Sequence, residues 1–186
     1  MIERPPLRMW EGIWALGRCA VRTAELIATR RLHEPRTSVG RRVRWADGTT
    51  STVYRETVAD VASTDTPTTL VVCFRLRGVR SDRLHRLFRL ESELNTILFA
   101  GFPGFVSKLW FANDEHGGYR GLYDWRDPTS AEAYVRALWW ALILVSERSS
   151  IHYTILPGIR RDDLLKAPHL ADNIAVDDIA AWWRPA

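Results

Sequence analysis

The chain has 186 residues, 46% of them hydrophobic, with 26 Lys+Arg against 22 Asp+Glu and a formal net charge of +4. That length and apolar content bury a core without a disulfide or metal staple, and the sequence reads as one main domain with extensions. The basic excess is interleaved with acids rather than blocked, and no DNA- or RNA-binding signature accompanies it, so no nucleic-acid partner is expected.

The first stretch, MIERPPLRMWEGIWALGRCAVRTAELIATRRL, sets Trp10, Ile13, Trp14, Cys19, Val21, Leu26 and Ile27 among Glu11, Arg18, Arg22 and Glu25. This predicts an amphipathic helix, too charged to span a bilayer and lacking the apolar run of a secretory signal. It is expected to pack on the domain or on a second subunit, in preference to a membrane surface. Cys19 and Cys73 lie without metal-ligand spacing and fit reduced thiols in a cytoplasmic protein.

Next, GRRVRWADGTTSTVYRETV alternates on either side of Asp47-Gly48, a hairpin signal that predicts paired strands over Arg41–Trp45 and Thr52–Val58. ADVASTDTPTT is a polar, proline-containing linker. It divides an extension over residues 1–67 from a main domain over 68–158, and residues 159–186 form a C-terminal tail.

In the main domain LVVCFRLRG predicts a strand, SDRLHRLFRLESELNTILFAG a helix, FVSKLWFA and YRGLYDWR two strands, SAEAYVRALWWALILVSE a helix and SIHYTIL a strand. Ser81 and Ser130 stand at N-cap positions. The order βαββαβ is ferredoxin-like, an α+β fold with an antiparallel sheet and both helices on one face. Counted alternately, one side of the strands carries Leu70, Val72, Phe74, Phe105, Ser107, Leu109, Phe111, Tyr123, Trp125 and Tyr153. The other, mixed side carries Cys73, Arg75, Lys108, Trp110, Arg120, Asp124 and His152. The more apolar side is expected to meet the helices. The tail ends in Trp182 and Trp183, which are expected to dock on the domain or on a partner.

The segments FAGFPGFVSKLWFAND, GGYRGLYDWRDPTSAEAYVRAL and SIHYTILPG, within Thr69–Gly158, resemble the dimeric α+β barrel superfamily and are most similar to the YdhR-like and antibiotic-biosynthesis mono-oxygenases. The resemblance implies a homodimer packed sheet to sheet, with a small-molecule pocket between sheet and helices in each subunit. The superfamily also hosts isomerases, cyclases and haem-degrading proteins, so fold alone does not name the reaction.

The predicted first helix carries Leu84, Leu87, Phe88, Leu94 and Leu98 on one face, interrupted by Glu91 and Asn95 at i, i+4 spacing. Glu91 reads either as a general base beside an orienting amide or as the partner of an arginine at the rim. His85 lies one position off that face, as a pocket base or a half-buried helix residue. The aromatic set Phe74, Phe88, Trp110, Tyr123, Trp125, Trp139 and Tyr153 reads as core or as the lining for a flat ligand. Lys108 reads either as a residue reaching past apolar neighbours to an acid such as Asp124, or as a cation that steadies an enolate or peroxide. The second reading requires the mixed face, or a distortion of the strand, to open into the cavity.

No Gly-rich phosphate loop, nucleotide fingerprint, nucleophile elbow or metal spacing is present, so no organic cofactor or metal is expected; a single histidine leaves haem as an open alternative. The sequence is thus read as a mono-oxygenase-like enzyme that abstracts a proton from an aromatic or polyketide-like substrate before oxygenation. A cyclase or isomerase using the same proton transfer, and a non-catalytic haem- or ligand-binding dimer, are the alternatives.

Overall fold

The computed structural model describes residues 5–61, 66–78, 96, 98–172 and 181–186. Helix α1 (Met9–Ala28) is followed by strands β1 (Leu32–His33), β2 (Arg42–Arg44), β3 (Thr50–Ala59), β4 (Thr68–Arg75), β5 (Phe105–Phe111) and β6 (Gly118–Trp125). Helix α2 (Pro128–Val145), strand β7 (His152–Pro157) and the short helix α3 (Arg161–Lys166) complete it. Most of the predicted helix after β4, including Ser81, His85, Phe88, Glu91 and Asn95, lies outside the described residues.

The strands form a 7-stranded sheet in the order β1-β3-β5-β6-β4-β7, with β2 beside β3, and every pairing is antiparallel. Within it β7-β4-β6-β5 is the ferredoxin-like arrangement, and the extension adds β3 and β1 to the free edge of β5. Asp47-Gly48 makes the predicted hairpin turn: Gly48 has φ 86°, which glycine adopts without strain, and Asp47 Oδ1 accepts from Thr49 N at 2.9 Å. Helix α2 starts earlier than predicted. Asp127, not Ser130, is its N-cap, accepting from Ser130 N at 2.8 Å with Pro128 next in line.

Both faces of the sheet are covered. One meets α1 and α2 over Leu70, Val72, Phe105, Trp110, Tyr123, Trp125, Tyr134 and Leu138. α1 approaches α2 closely, since a Cβ on Gly12 would sit 3.0 Å from Trp140 Cδ1. The other face is closed by the chain's own segments: Val43 and Trp45 of the hairpin, Leu164 and Leu165 of α3, and Trp182 and Trp183 near the C-terminus pack on Val71, Leu109, Phe111, Leu122 and Leu156. Arg120 holds that cover in place. It pairs with Asp47 in the hairpin turn and Asp114 after β5, and donates to the Trp182 carbonyl at 3.2 Å.

Strand β5 departs from strict alternation, and the departure decides what faces the helices. Phe105 pairs with Trp125 while Ser107 already pairs with Asp124, so Val106 is an extra residue, a β-bulge. Beyond it every side chain changes face relative to a regular strand. Ser107, Leu109 and Phe111, predicted on the helix side, lie on the outer side. Lys108 and Trp110, predicted on the mixed side, lie on the helix side, opposite Tyr123 and Gly121. A second shift between Val53 and Arg55 in β3 keeps the two strands paired, and Thr57 comes opposite Lys108.

Candidate functional site

Between the sheet and α2 lies a cavity of ≈ 630 Å³ lined by Tyr54, Phe74, Phe99, Trp110, Tyr123, Tyr134, Leu138 and others, with Lys108 in its wall. The volume is that of a small-molecule site. A larger hollow of ≈ 1100 Å³ runs along α1 past Trp14, Arg22, Asp60 and Phe102. Among the described residues that hollow is lined by exposed charged side chains and the buried Cys19 thiol, whereas the smaller cavity holds a buried amine and buried phenols.

Lys108 is 6% exposed. Its Nζ lies 3.2 Å from the centroid of the Trp110 ring, 4.5 Å from that of Phe99 and 4.6 Å from that of Tyr123. Among the described residues no carboxylate pairs with it. Asp124, the partner foreseen in sequence, belongs to the outer face, where it accepts from Ser107 Oγ at 3.2 Å and from Arg161 N at 2.7 Å. The bulge at Val106 is the reason for the difference.

Burial strips the Lys108 ammonium of water, the Arg55 guanidinium adds like-charge repulsion, and the amine is pushed well below the ordinary lysine range. The aromatic rings oppose this, a desolvated cation–π contact being worth about 2 kcal/mol or more. An unpaired buried ion costs several kcal/mol, so the rings offset part of the desolvation and the direction of the shift stays downward. The result is an amine that gives up its proton more readily than an exposed lysine, set among aromatic rings.

The phenols sit beside it. Tyr123 and Tyr134 share a hydroxyl–hydroxyl contact of 3.4 Å. Burial raises both, and for Tyr134 the neighbouring Tyr123 adds to the shift, so each stays a protonated donor across the physiological range. Gly121 makes the Tyr123 position possible: a Cβ there would lie 2.7 Å from Tyr123 Cε2. Trp110 is fixed in turn by its indole N–H donating to Thr57 Oγ1 at 3.1 Å. Arg55 crosses the outer edge of Trp110 at 5.2 Å, held by Glu34 and by Thr96 at 2.6 Å.

Of the residues singled out in sequence, Phe74, Lys108, Trp110 and Tyr123 line the cavity. Trp125 is buried behind it, 4.9 Å from the Tyr134 ring centroid. Tyr153 packs on the helix-side core, while Trp139 is absent from the lining. His152 is exposed and lies against the Trp182 ring on the outer face, away from Lys108. Glu91, His85, Asn95 and Phe88 lie outside the described residues. Sequence reasoning passed over Tyr134, whose signal was the helical spacing Ala131, Tyr134, Val135, Leu138 on the buried side of α2. It also passed over Tyr54, placed here by the shift in β3.

Among the described residues no His/Cys/Asp/Glu group is arranged to hold a metal ion, and no described histidine lines the cavity. The cysteines are unpaired, and burial raises both thiols to about 11. Among the described residues no helix is long and apolar enough to cross a membrane. On the outer face Arg161, the first residue of α3, pairs with both Glu56 and Asp124, all three buried.

No protein-family model matches the chain, and no curated protein does. Among solved structures it is similar to an uncharacterized ferredoxin-fold protein from Listeria monocytogenes, described as related to antibiotic biosynthesis monooxygenases, at 11% identity and a TM-score of 0.39. The match covers 61% of this chain and 66% of that one, just under two thirds of its length. So faint a likeness transfers no chemistry, and the function is argued from the cavity.

Proposed function

We propose that the cavity binds a flat aromatic or polyketide-like ketone and that the protein is a mono-oxygenase-like enzyme acting on it without an organic cofactor. The observation that carries this reading is a buried amine with no carboxylate partner among the described residues, set in an aromatic-lined cavity beside two protonated phenols. Tyr123 donates to the carbonyl oxygen of the substrate. Lys108, neutral in the free site, takes a proton from the activated methylene next to that carbonyl or conjugated with it. The resulting ammonium stands beside the enolate and steadies it, an interaction strengthened by the low dielectric of the cavity.

The carbanion then reacts with molecular oxygen. A carbon–oxygen bond forms, the peroxide takes the proton back, and loss of water as the second carbon–hydrogen bond breaks leaves a ketone. One oxygen atom enters the product and the other leaves as water with both methylene hydrogens. The four electrons come from the methylene carbon, so no external reductant is needed.

The test uses anthrone, a tricyclic aryl ketone with an acidic methylene. Binding is followed by tryptophan quenching and turnover by oxygen uptake under labelled O₂. The reading expects one labelled atom in the product, and Lys108→Met is expected to abolish turnover while changing affinity only a few-fold. Substrate conversion without oxygen uptake shifts the function to isomerisation or cyclisation. Failure of anthrone and related polycyclic ketones to bind overturns the reading.

A further inference from the structure

Helix α1 presents an apolar face that no other described residue covers. Met9, Trp10, Ile13, Trp14, Val21 and Ile27 are 55–73% exposed. On a helical projection they share with Gly17, Ala20, Ala24 and Ala28 a sector of about 140° without a single charge. The opposite side, through Gly12, Cys19, Thr23 and Leu26, is buried. Six large apolar side chains more than half exposed amount to several hundred Å², on the order of the ~800 Å² that one partner contributes to a standard protein interface.

Three features of this face identify its occupant. Bulk is distributed unevenly along it, with Met9, Trp10, Ile13 and Trp14 in the first half and Gly17, Ala20, Ala24 and Ala28 dominating the second. Gly17 has no internal reason to be glycine, because a Cβ there meets nothing within 4 Å, and a glycine inside a helix is otherwise destabilising. Finally, the charges bordering the face, Glu11, Arg18, Arg22 and Glu25, sum to zero.

An anionic membrane surface favours a basic border, whereas a border of zero net charge favours a complementary protein surface. The outer face of the sheet is already occupied by α3 and the two C-terminal tryptophans, and among the described residues α1 carries the largest group of exposed large apolar side chains.

We propose that two copies of this chain associate through α1, paired antiparallel about a two-fold axis at Gly17. In that register Trp10 meets Ala24 of the partner subunit near the midline, Trp14 lies level with the partner's Val21 on one flank, and Ile13 lies level with the partner's Ala20 on the other. The two-fold axis repeats each contact in both copies, as an isologous interface requires. Glu11 comes within reach of the partner's Arg22, and the two Gly17 residues allow the backbones to approach closely. The in-chain contacts of these charges, Glu11 with Arg8 N and Arg22 with Glu25, are exposed and exchange at little cost.

The experiment is analytical ultracentrifugation of the full chain at tens of micromolar, with three variants. The wild type is expected to sediment as a dimer and Val21→Glu as a monomer that still unfolds cooperatively, the site being exposed in the single chain. Gly17→Cys is expected to form an intermolecular disulfide under mild oxidation. Trp10→Cys is not, because residue 10 and its symmetry mate stand about 20 Å apart along antiparallel helices.

A wild-type monomer overturns the proposal, as does a dimer that survives Val21→Glu. Disulfide formation by Trp10→Cys as readily as by Gly17→Cys overturns the antiparallel register. Co-sedimentation of a monomeric wild type with phosphatidylglycerol-containing vesicles would assign the face to lipid instead.

Discussion

Replacing Lys108 with methionine isolates what burying an amine does to this protein. Methionine nearly preserves the length and volume of the side chain and removes only the charge and its hydration. In the unfolded chain Lys108 titrates near the free-lysine value of about 10.4. In the folded chain desolvation, followed by repulsion from Arg55, holds it well below. Between those two values the unfolded state binds one proton more than the folded state, so wild-type stability rises with pH there by about 1.4 kcal/mol per unit.

The Lys108→Met variant lacks this dependence. Its advantage over wild type is therefore smallest above pH 10.4 and grows by about 1.4 kcal/mol for each unit the pH falls, until the folded pKa is passed and the difference levels off. Urea unfolding of both proteins at half-unit steps from pH 10 downward measures the difference, with the m-values checked for constancy. A difference that stays flat over that range, or a variant less stable than wild type at pH 7, would mean that Lys108 is ionised and compensated in the folded protein. The neutral-base mechanism would fall with it.

Three further substitutions examine what surrounds the amine. Arg161→Met leaves Glu56 and Asp124 buried without their cation and is expected to cost about 3–5 kcal/mol in urea unfolding at pH 7; a loss below ~1 kcal/mol would mark the cluster as solvated. Gly121→Ala drives a methyl into the Tyr123 ring and is expected to cost about 1–3 kcal/mol. Because the displaced ring is the carbonyl donor, ketone affinity should fall with it, and undiminished binding would remove Tyr123 from the site. Trp183→Ala opens the cover of the outer face and is expected to cost about 3–5 kcal/mol by thermal or urea unfolding, since the residue is 5% exposed.

The architecture was legible wherever a local rule suffices. Asp47-Gly48 specifies a tight turn chemically, and the helical and strand periodicities of the main domain give its element order without reference to tertiary structure. The site was harder to read because its position depends on parity. Counting alternate residues along β5 assumes that none is extra, and Val106, an apolar β-branched residue, resembles any other strand residue.

One clue to the bulge was available. Regular alternation places Ser107 in an otherwise apolar layer with no obvious partner, whereas one inserted residue brings its hydroxyl to Asp124 and the lysine to the cavity. The N-cap of α2 was missed for a simpler reason: Asp127-Pro128 is a stronger start signal than Ser130, because proline at the first helical position gives up no hydrogen bond.

The same inserted residue arranges both sides of the sheet, and its removal is the most severe test of this account. Deleting Val106 restores strict alternation, so either Phe105 or the whole run from Ser107 to Phe111 must exchange faces. If Phe105 moves, the helix-side core loses a side chain that is 1% exposed and contacts Phe99 and Trp125 edge-on. If the later run moves, Lys108 enters the layer already holding Arg161, while Ser107 loses Asp124 and enters the apolar side. Each outcome combines a lost core contact or an unpaired buried charge with β5 still clamped between β3 and β6, at a cost of about 3–5 kcal/mol or more. The deletion variant is accordingly expected not to fold cooperatively, as judged by near-ultraviolet circular dichroism and urea unfolding. If it instead melts like the wild type and binds the same ketone, the bulge does not position the lysine, and the site would have to be sought elsewhere.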